Sequence, residues 1–275
     1  MKHIVPIAII AAAAVFVALG LVLHSRSKAS TITEDESVED LLPQFAGEVD
    51  SFKAKGGTVI EIFSIKHGSL AIRAGSKWVY ADPVTKGAKP ETDYTNLPKA
   101  DYILITHEHG DHLDLAAISQ LAGPGTKVIA NHSSVEKASS AVPGIEVIDM
   151  ANGDGMTTAE GWNIEAVPAY NISEGRQNFH PQGNGNGYLL TIDGFRIYVA
   201  GDTEDIPELA DLNDVDVAFL PCNLPYTMTP EQCADAARKF MPKVLFPYHY
   251  GETDVQRVVS LLSGTSVNVR IRSYK

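Results

Sequence analysis

Three imidazoles and two carboxylates crowd into one short segment, Thr106-His107-Glu108-His109-Gly110-Asp111-His112. The apolar stretch Asp101–Ile105 precedes it and predicts a buried strand, so the cluster should lie on the loop at the carboxyl end of that strand. Side chains of an extended chain alternate with period two, so His107 and His109 should project to the same side. Gly110 lets the chain bend and present Asp111 and His112 to a neighbouring point. Imidazoles and carboxylates bind zinc and harder first-row metals, so this spacing favours two adjacent metal ions over a chance polar loop.

Two further polar residues stand at the ends of predicted strands. Asp202, in Gly201-Asp202-Thr203, follows the strand Arg196–Ala200, and His249 follows the apolar run Val244–Tyr248. A lone Asp after Gly is usually a turn residue or a helix cap, and a lone His among tyrosines is usually structural. Each of these two, however, comes just past a buried strand, as His107 does. This shared placement makes both candidates for the same site.

Residues 1–29 are best interpreted as a targeting or anchoring segment. Ile4–Leu23 contains no charged residue and is long enough to span a bilayer, although it also resembles a long signal-peptide core. Ser27-Lys28-Ala29 is a passable cleavage site, so both a signal peptide and an uncleaved membrane anchor stay open. We therefore expect an exported protein that is membrane-anchored, periplasmic or extracellular.

Beyond this segment the sequence predicts a spacer and one globular domain. Residues 30–55 are acidic and poor in apolar side chains, which predicts a spacer that holds the domain off the membrane. The remaining residues, 56–275, suit a single domain of ordinary size. Cys222 and Cys233 could pair in an oxidising compartment, but their separation gives no signal, so we expect them to stay unpaired.

The formal charge of the chain, −12, argues against nucleic acid as a partner. Removing residues 1–29 takes away three cations, Lys2, Arg26 and Lys28, and no acid, which leaves −15. Such an acidic surface repels phosphate backbones. A small-molecule or lipid-like substrate is therefore expected instead, with the membrane contacted only through the N-terminal segment.

The predicted elements form two similar halves. Short strands from residue 57 lead to the histidine-rich loop and an amphipathic helix at Leu115–Leu121. The second half repeats the theme, with strands at Asn163–Val167, Gly187–Ile192 and Phe195–Ala200 before alternating helices and strands. Mixed strands followed by alternating helices, twice over, predict two sheets packed face to face with helices outside.

The sequence resembles the metallo-β-lactamase superfamily of metal-dependent hydrolases. The resemblance rests on His107-x-His109-x-Asp111-His112, Gly201-Asp202-Thr203 and His249, in the expected order. Ala81-Asp82-Pro83 and Asp111-His112-Leu113-Asp114 look most like the branch of ascorbate-phosphate lactonases and N-acyl-phosphatidylethanolamine phospholipases. Together these motifs cover about residues 57–272. The resemblance implies a four-layer αββα sandwich of two mixed β-sheets, with a metal pair at one edge.

The resemblance also implies which residues hold that metal pair. Carried over residue by residue, the first ion takes His107 and His109, the second takes Asp111, His112 and His249, and the bridge is Asp202. One position departs from the family pattern. The family's third histidine for the first ion falls where this chain has Tyr170-Asn171. We expect His180 to replace it, with Asn171 or water as the alternatives.

Smaller assignments follow from position along the chain. His67, in Lys66-His67-Gly68, could orient a ligand or contact substrate, or could be a surface residue in a turn. Asp114 could hydrogen-bond a ligand imidazole or cap the following helix. Tyr170, Tyr188 and Tyr226 flank the motif loops and could line a pocket or pack in the core.

The predicted chemistry is metal-dependent hydrolysis of an ester, lactone, amide or phosphodiester bond. Two divalent ions, with zinc the first choice and manganese or iron the alternatives, would lower the pKa of a bridging water toward about 7. Asp202 would place this water and Asp111 would accept its proton, so both are catalytic candidates. The alternative is a metal-dependent binding or sensing protein with little turnover, which the missing histidine after Ala169 keeps open. The sequence indicates no oligomeric state.

Overall fold

A computed structural model describes residues 49–87 and 91–274. The predicted signal or anchor segment, residues 1–29, and most of the predicted spacer lie outside these residues. Within the described ranges, no helix combines the length and apolar character needed to cross a membrane.

The first sheet is formed by the first half of the described chain and has seven strands. In spatial order these are β1 (Val49–Lys53), β2 (Val59–Lys66), β3 (Ser69–Ala74), β4 (Lys77–Ala81), β5 (Tyr102–Ile105), β6 (Lys127–Ala130) and β7 (Glu146–Asp149). Pairing is antiparallel from β1 to β4 and parallel from β4 to β7. The sheet is therefore mixed.

The second sheet repeats this plan with the second half. Its strands are β8 (Gly155–Thr157), β9 (Asn163–Ala169), β10 (Gly185–Ile192), β11 (Phe195–Val199), β12 (Val217–Pro221), β13 (Val244–Tyr248) and β14 (Asn268–Val269). Pairing is again antiparallel from β8 to β11 and parallel from β11 to β14. The predicted duplication of the fold is confirmed at the level of strand order and direction.

Helices cover the outer faces of the two sheets. They are α1 (Leu115–Leu121), α2 (His132–Ser139), a 3-10 helix (Pro207–Asp211), α3 (Pro230–Phe240) and α4 (Gln256–Leu261). The α3 helix begins with a capping box, in which Thr229 and Gln232 satisfy each other's backbone N–H groups. It ends at Met241, which adopts a left-handed conformation with φ of 47°.

Apolar and polar residues do not alternate in runs such as Tyr102–Ile105, because both faces of these strands are buried in the core. Leu104 belongs to a cluster shared with Leu190 and Phe219 of the second sheet. Ile103 belongs to a second cluster, with Ile118 of α1, on the opposite face of its sheet. A strand that is buried on both faces requires apolar side chains on both. The αββα sandwich predicted from the sequence is thus confirmed.

The sheet begins earlier than the predicted domain boundary at residue 56. Strand β1 lies within the predicted spacer and pairs with β2. Its Asp50 is only 5% exposed and binds two guanidinium groups near the C-terminus, with Oδ1 2.7 Å from Arg270 and 2.8 Å from Arg272. The acidic composition of residues 30–55 predicted a spacer, because the arginines that bind Asp50 are far away in the sequence.

Candidate metal centre

The topology brings every predicted ligand loop to one edge of the sandwich. Parallel strands end at the same edge of a sheet, so the segments after β4, β5, β11 and β13 lie close together. The two sheets meet there, because the Asn186 N–H donates to the Thr106 carbonyl oxygen at 2.9 Å. At Gly201, with φ of +65°, a Cβ would lie 2.9 Å from the Thr106 Cβ, just past β5 of the first sheet. Glycine at this position lets the Asp202 loop approach the first sheet.

The first cluster contains His107, His109 and His180, whose candidate ligand atoms lie within 4.8 Å of one another. Nε2 of His107 is 3.0 Å from Nδ1 of His109. The ring of His180 lies 5.1 Å from the ring of His107 and 5.2 Å from that of His109. His180 therefore converges with the two loop histidines, although it comes from a different part of the chain.

The second cluster contains Asp111, His112 and His249, and the structure adds His67 to them. Nε2 of His249 is 3.6 Å from Oδ2 of Asp111, and Nε2 of His112 is 3.9 Å from the same oxygen. Nε2 of His67 donates to this oxygen at 3.1 Å. The four side chains thus meet around a single carboxylate oxygen.

Asp202 lies between the two clusters. Its Oδ2 is 3.2 Å from Nε2 of His180 and 3.6 Å from Nε2 of His249. Its Oδ1 is 3.4 Å from Nε2 of His112. One buried carboxylate therefore reaches both histidine clusters, and its role as a bridging ligand, which the resemblance implies, stays a prediction.

Several candidate ligand atoms of this centre have no hydrogen-bond partner in the protein and are of the types that metal ions accept. Nε2 of His112, His180 and His249 and Oδ1 of Asp202 are buried and have no hydrogen-bond partner. Buried polar atoms are rarely left without a partner, and an ion bound at the centre would supply one. Imidazole nitrogens and carboxylate oxygens are also the donors that zinc and similar ions accept. The clusters are thus able to bind metal, and the assignment of individual ligands stays a prediction.

Surrounding groups fix the orientation of the imidazoles. Nδ1 of His112 donates to Oδ2 of the buried Asp82 at 2.8 Å, and Nδ1 of His180 donates to the Tyr226 carbonyl oxygen at 3.1 Å. In the neutral form of each ring, this contact leaves Nε2 without a proton and directed at the centre. Carboxylates and carbonyls that hold metal-binding histidines in this way set both the tautomer and the direction of the ring.

Several residues have roles that sequence reasoning missed or left open. Asp82 entered only as part of a family motif, yet it holds both His112 and the Thr106 side chain, at 2.6 Å. His67 is not a surface turn residue, since its ring lies 3.7 Å from that of His249. A Cβ at Gly68 would lie 2.9 Å from Cε1 of His112, so only glycine allows this approach. The Asp82-Pro83 and His67-Gly68 pairs, each at a strand end, were the available signals.

The remaining candidates take structural roles. Asp114 caps α1, accepting from the N–H groups of Ala116 and Ala117. Tyr188 is buried and donates to the Ile105 carbonyl oxygen, and Tyr170 is nearly buried and donates to Glu208. The Asn171 amide donates to two backbone carbonyl oxygens, that of Tyr226 at 2.7 Å and that of Arg176 at 3.1 Å. The two cysteines, both buried, are unpaired.

Burial and neighbouring charges shift the pKa values of three groups of the centre when no metal is bound. Burial alone would disfavour a charged His112, but the Asp202 and Asp82 carboxylates outweigh it and raise its pKa to about 10. For His107, burial and the charge of His112 keep the pKa well below the usual value. Burial acts to raise the pKa of Asp202, yet the surrounding imidazoles hold it well below the ordinary value. In the absence of metal, a charged His112 therefore balances the carboxylates.

This distribution predicts that metal binding releases a proton. His112 is charged at neutral pH, with a pKa of about 10, and a metal requires its neutral form. We expect about one proton released per chain, and an association constant that rises about tenfold per pH unit up to about pH 10. Calorimetric titration in buffers of different ionisation enthalpy measures the proton count, and a count of zero would contradict the assignment.

The charged form of His112 also stabilises the folded protein when no metal is bound. This contribution to the free energy of unfolding is complete below the unfolded-state pKa of His112 and is lost as pH rises through about 10.

Comparison with known proteins places this geometry in a family. Residues 77–250 match the family described as the Beta-lactamase superfamily domain, which covers more than half of the chain. A UPF0173 metal-dependent hydrolase of Thermococcus kodakarensis is 33% identical over 196 residues, covering 70% of this chain and 85% of the relative. A UPF0173 metal-dependent hydrolase of Pelotomaculum thermopropionicum is 32% identical over 228 residues, covering 78% of this chain and 97% of the relative.

Solved structures agree. A crystal structure from Parabacteroides distasonis, of a protein assigned as a metal-dependent hydrolase, shares 49% identity with a TM-score of 0.78 and covers 83% of this chain and 99% of that one. The metallo hydrolase Igni18 of Ignicoccus hospitalis shares the fold, at 24% identity and a TM-score of 0.62, covering 77% of this chain and 94% of that one. The chain therefore belongs to the metallo-β-lactamase superfamily. Within it, the protein is a metal-dependent hydrolase; the narrower branch stays a prediction.

The departure from the family pattern gives a test on metal binding. We expect His180→Ala to lose one metal ion per chain, because His180 completes the cluster of His107 and His109. Asn171→Ala should keep both ions, since the Asn171 amide donates to loop carbonyls. Elemental analysis after reloading and desalting compares the two variants. Full metal content in His180→Ala would show that Asn171 or water fills the position instead.

Proposed function

We propose that the protein hydrolyses an ester, lactone, amide or phosphodiester bond with a water held by two divalent metal ions, zinc being the first choice. The observation that carries the proposal is the position of Asp202, whose buried carboxylate contacts both histidine clusters at 3.2–3.6 Å, through Oδ2 to His180 and His249 and through Oδ1 to His112. A single ion would leave one of these clusters without a partner. Two ions, when bound, would acidify the water between them and polarise the substrate's carbonyl or phosphoryl oxygen.

The residues divide this work by position. His107, His109 and His180 would hold the first ion. Asp111, His112 and His249 would hold the second, with Asp202 shared, as the sequence predicted. Of the two carboxylates, Asp202 is buried, whereas the Asp111 side chain is 43% exposed. Asp111 is therefore the carboxylate that can both reach the centre and pass a proton outward to solvent.

His67 would position Asp111 for this role. Its Nε2–H donates to Oδ2 of Asp111 at 3.1 Å. Its main-chain carbonyl oxygen accepts from the His249 N–H at 3.0 Å. The residue thereby connects two predicted ligands of the second ion. A histidine with φ of 49° needs such constraints to hold its backbone, because a left-handed conformation is unfavourable for residues other than glycine.

We further propose that the chain acts outside the cytoplasm, on a small-molecule or lipid-like substrate. Support comes from the uncharged segment Ile4–Leu23 and from the net charge of −12, which disfavours nucleic acid. Fractionation of cells that express the full chain tests the location. Release of all the protein with the cytoplasmic fraction would contradict it.

Metal content and turnover test the proposal together. We expect about two ions per chain after purification without chelator, and hydrolysis that is lost with a chelator and restored by zinc, manganese or iron. Elemental analysis gives the stoichiometry, and a panel of lactones, esters, amides and phosphodiesters gives the bond. One ion per chain in a fully active sample would rule out the two-ion site. Two ions without hydrolysis of any panel member would favour the binding or sensing alternative.

A further inference from the structure

Two loops beside the centre carry most of the exposed large apolar side chains of the described residues. These loops are residues 170–184, between β9 and β10, and residues 223–227, after β12. Of seven exposed large apolar side chains, four lie on these loops, at 37–47% exposure: Ile172, Phe179, Leu224 and Tyr226. We call this set the apolar rim. Exposed apolar side chains scattered singly are ordinary, but a grouping beside a catalytic centre marks a binding surface.

The two loops are joined to each other and to the predicted ligand His180. Nδ2 of Asn171 donates to the Tyr226 carbonyl oxygen at 2.7 Å, and Nδ1 of His180 donates to the same oxygen at 3.1 Å. Nη1 of Arg176 donates to the Thr227 carbonyl oxygen at 2.9 Å. The apolar rim is therefore one connected structure, fixed relative to the first histidine cluster.

The rim continues into the pocket of the centre. Phe179 lines the same pocket as His107, His109 and Asp202. The Phe179 ring meets the Tyr226 ring at 5.1 Å in an edge-to-face arrangement. A molecule whose reactive bond reaches the histidines would therefore lay the rest of its structure against these two rings.

Apart from the metal ions that it would hold, the described residues of the same pocket offer a substrate no lysine or arginine side chain. Its lining residues, taken from the described part of the chain, include no lysine or arginine. Arg176, on the rim loop, is committed to Glu204 at 2.9 Å and to the Ser173 hydroxyl at 2.7 Å. Phosphate and carboxylate groups are usually recognised by free guanidinium or ammonium groups. The part of the pocket outside the metal centre thus suits an uncharged group.

We propose that Phe179 and Tyr226 form an apolar subsite for the hydrocarbon part of an uncharged lactone or carboxylic ester, which narrows, and rests on, the proposed hydrolytic function. Hydrolysis adds one water: the acyl C–O bond breaks, hydroxide joins the acyl carbon, and the proton goes to the departing alkoxide. A carbonyl at the metal centre leaves the alkyl substituent directed along the two rings. Burial of this substituent supplies the binding that the pocket cannot supply through charge.

Turnover of γ-lactones whose side chain lengthens from methyl to octyl tests the subsite, with the metal-loaded full-length chain. We expect kcat/KM to rise about fourfold per methylene until the subsite is full, the ratio that corresponds to apolar transfer of one methylene. Phe179→Gln should flatten this rise, Phe179→Leu should keep most of it, and Val59→Ala, at an exposed position on β2, should leave it unchanged. An anionic phosphodiester should be hydrolysed slowly by every variant.

Tyr226→Ala beside Tyr226→Phe repeats the comparison if a change at Phe179 disturbs His180. Metal content measured on each variant separates an altered subsite from an altered centre. Wild-type kcat/KM independent of chain length would overturn the subsite while leaving the hydrolytic function intact. The same result together with Phe179→Gln losing binding to phospholipid vesicles would assign the rim to lipid contact.

Binding of alkyl lactams, which resemble lactones but resist hydrolysis, tests the subsite without turnover. We expect calorimetric affinity to rise with chain length in the wild type and to lose this dependence in Phe179→Gln. Such binding without turnover of any lactone or ester would refute the proposed function and retain the subsite. Lactam affinity that is independent of chain length would refute the subsite.

Discussion

Asp202→Asn is expected to reduce kcat/KM at least ~10³-fold and to lower metal content below two ions per chain, a loss on the scale of metal-assisted activation of water combined with proton transfer. The Asp202 carboxylate is buried and contacts both histidine clusters, through Oδ2 to His180 and His249 and through Oδ1 to His112. Asparagine keeps the shape, but one oxygen becomes an NH₂ group, which cannot bind a cation. One of the clusters should therefore lose its shared ligand.

Elemental analysis and turnover on the substrate found by the panel measure this effect. Asp211→Asn, an exposed carboxylate on the 3-10 helix, is the matched control and should behave as the wild type. Thermal unfolding with chelator checks that the fold survives. Two retained ions with near wild-type turnover in Asp202→Asn would show that the carboxylate does not bridge.

Asp111→Asn should lower kcat at least ~10²-fold even when measured at saturating metal, the usual scale for general acid–base assistance. The Asp111 carboxylate is partly exposed and accepts from His67 at 3.1 Å. Burial acts to raise its pKa, but His249 and His67 hold that pKa far below the usual range. In the metal-free protein Asp111 is therefore ionised at neutral pH. Asparagine retains one oxygen as a metal donor but cannot accept a proton.

The control for this variant is Glu108→Gln, on the same loop. The Glu108 carboxylate accepts from Ser133 and Asn184 and belongs to neither cluster. Turnover should stay near the wild-type rate in this variant. If a fully metal-loaded Asp111→Asn hydrolyses substrate as fast as Glu108→Gln does, Asp111 is a ligand without a role in proton transfer.

The sequence by itself indicated the fold and most of the candidate centre, because both depend on local patterns. Buried strands are apolar on both faces, so Tyr102–Ile105 and Val244–Tyr248 were recognisable as strands without knowledge of their neighbours. A ligand that follows such a strand can be recognised from the same pattern. His107, Asp202 and His249 all follow this rule, and parallel pairing brings strand ends of this kind to a common edge.

What only the tertiary structure decided depends on partners far apart in the chain. The sequence placed Asp50 in an acidic spacer, whereas in the structure Arg270 and Arg272 neutralise its carboxylate. Asp82 gained its role by meeting His112, and His67 gained its role by meeting Asp111 and His249. His180 lies in a long polar loop without a strand pattern, so the sequence did not indicate where its side chain points. The hydrogen bond from its Nδ1 to the Tyr226 carbonyl oxygen sets the orientation of the ring. Local sequence records burial and turns, whereas a hydrogen bond or ion pair between distant segments exists only once the chain has folded.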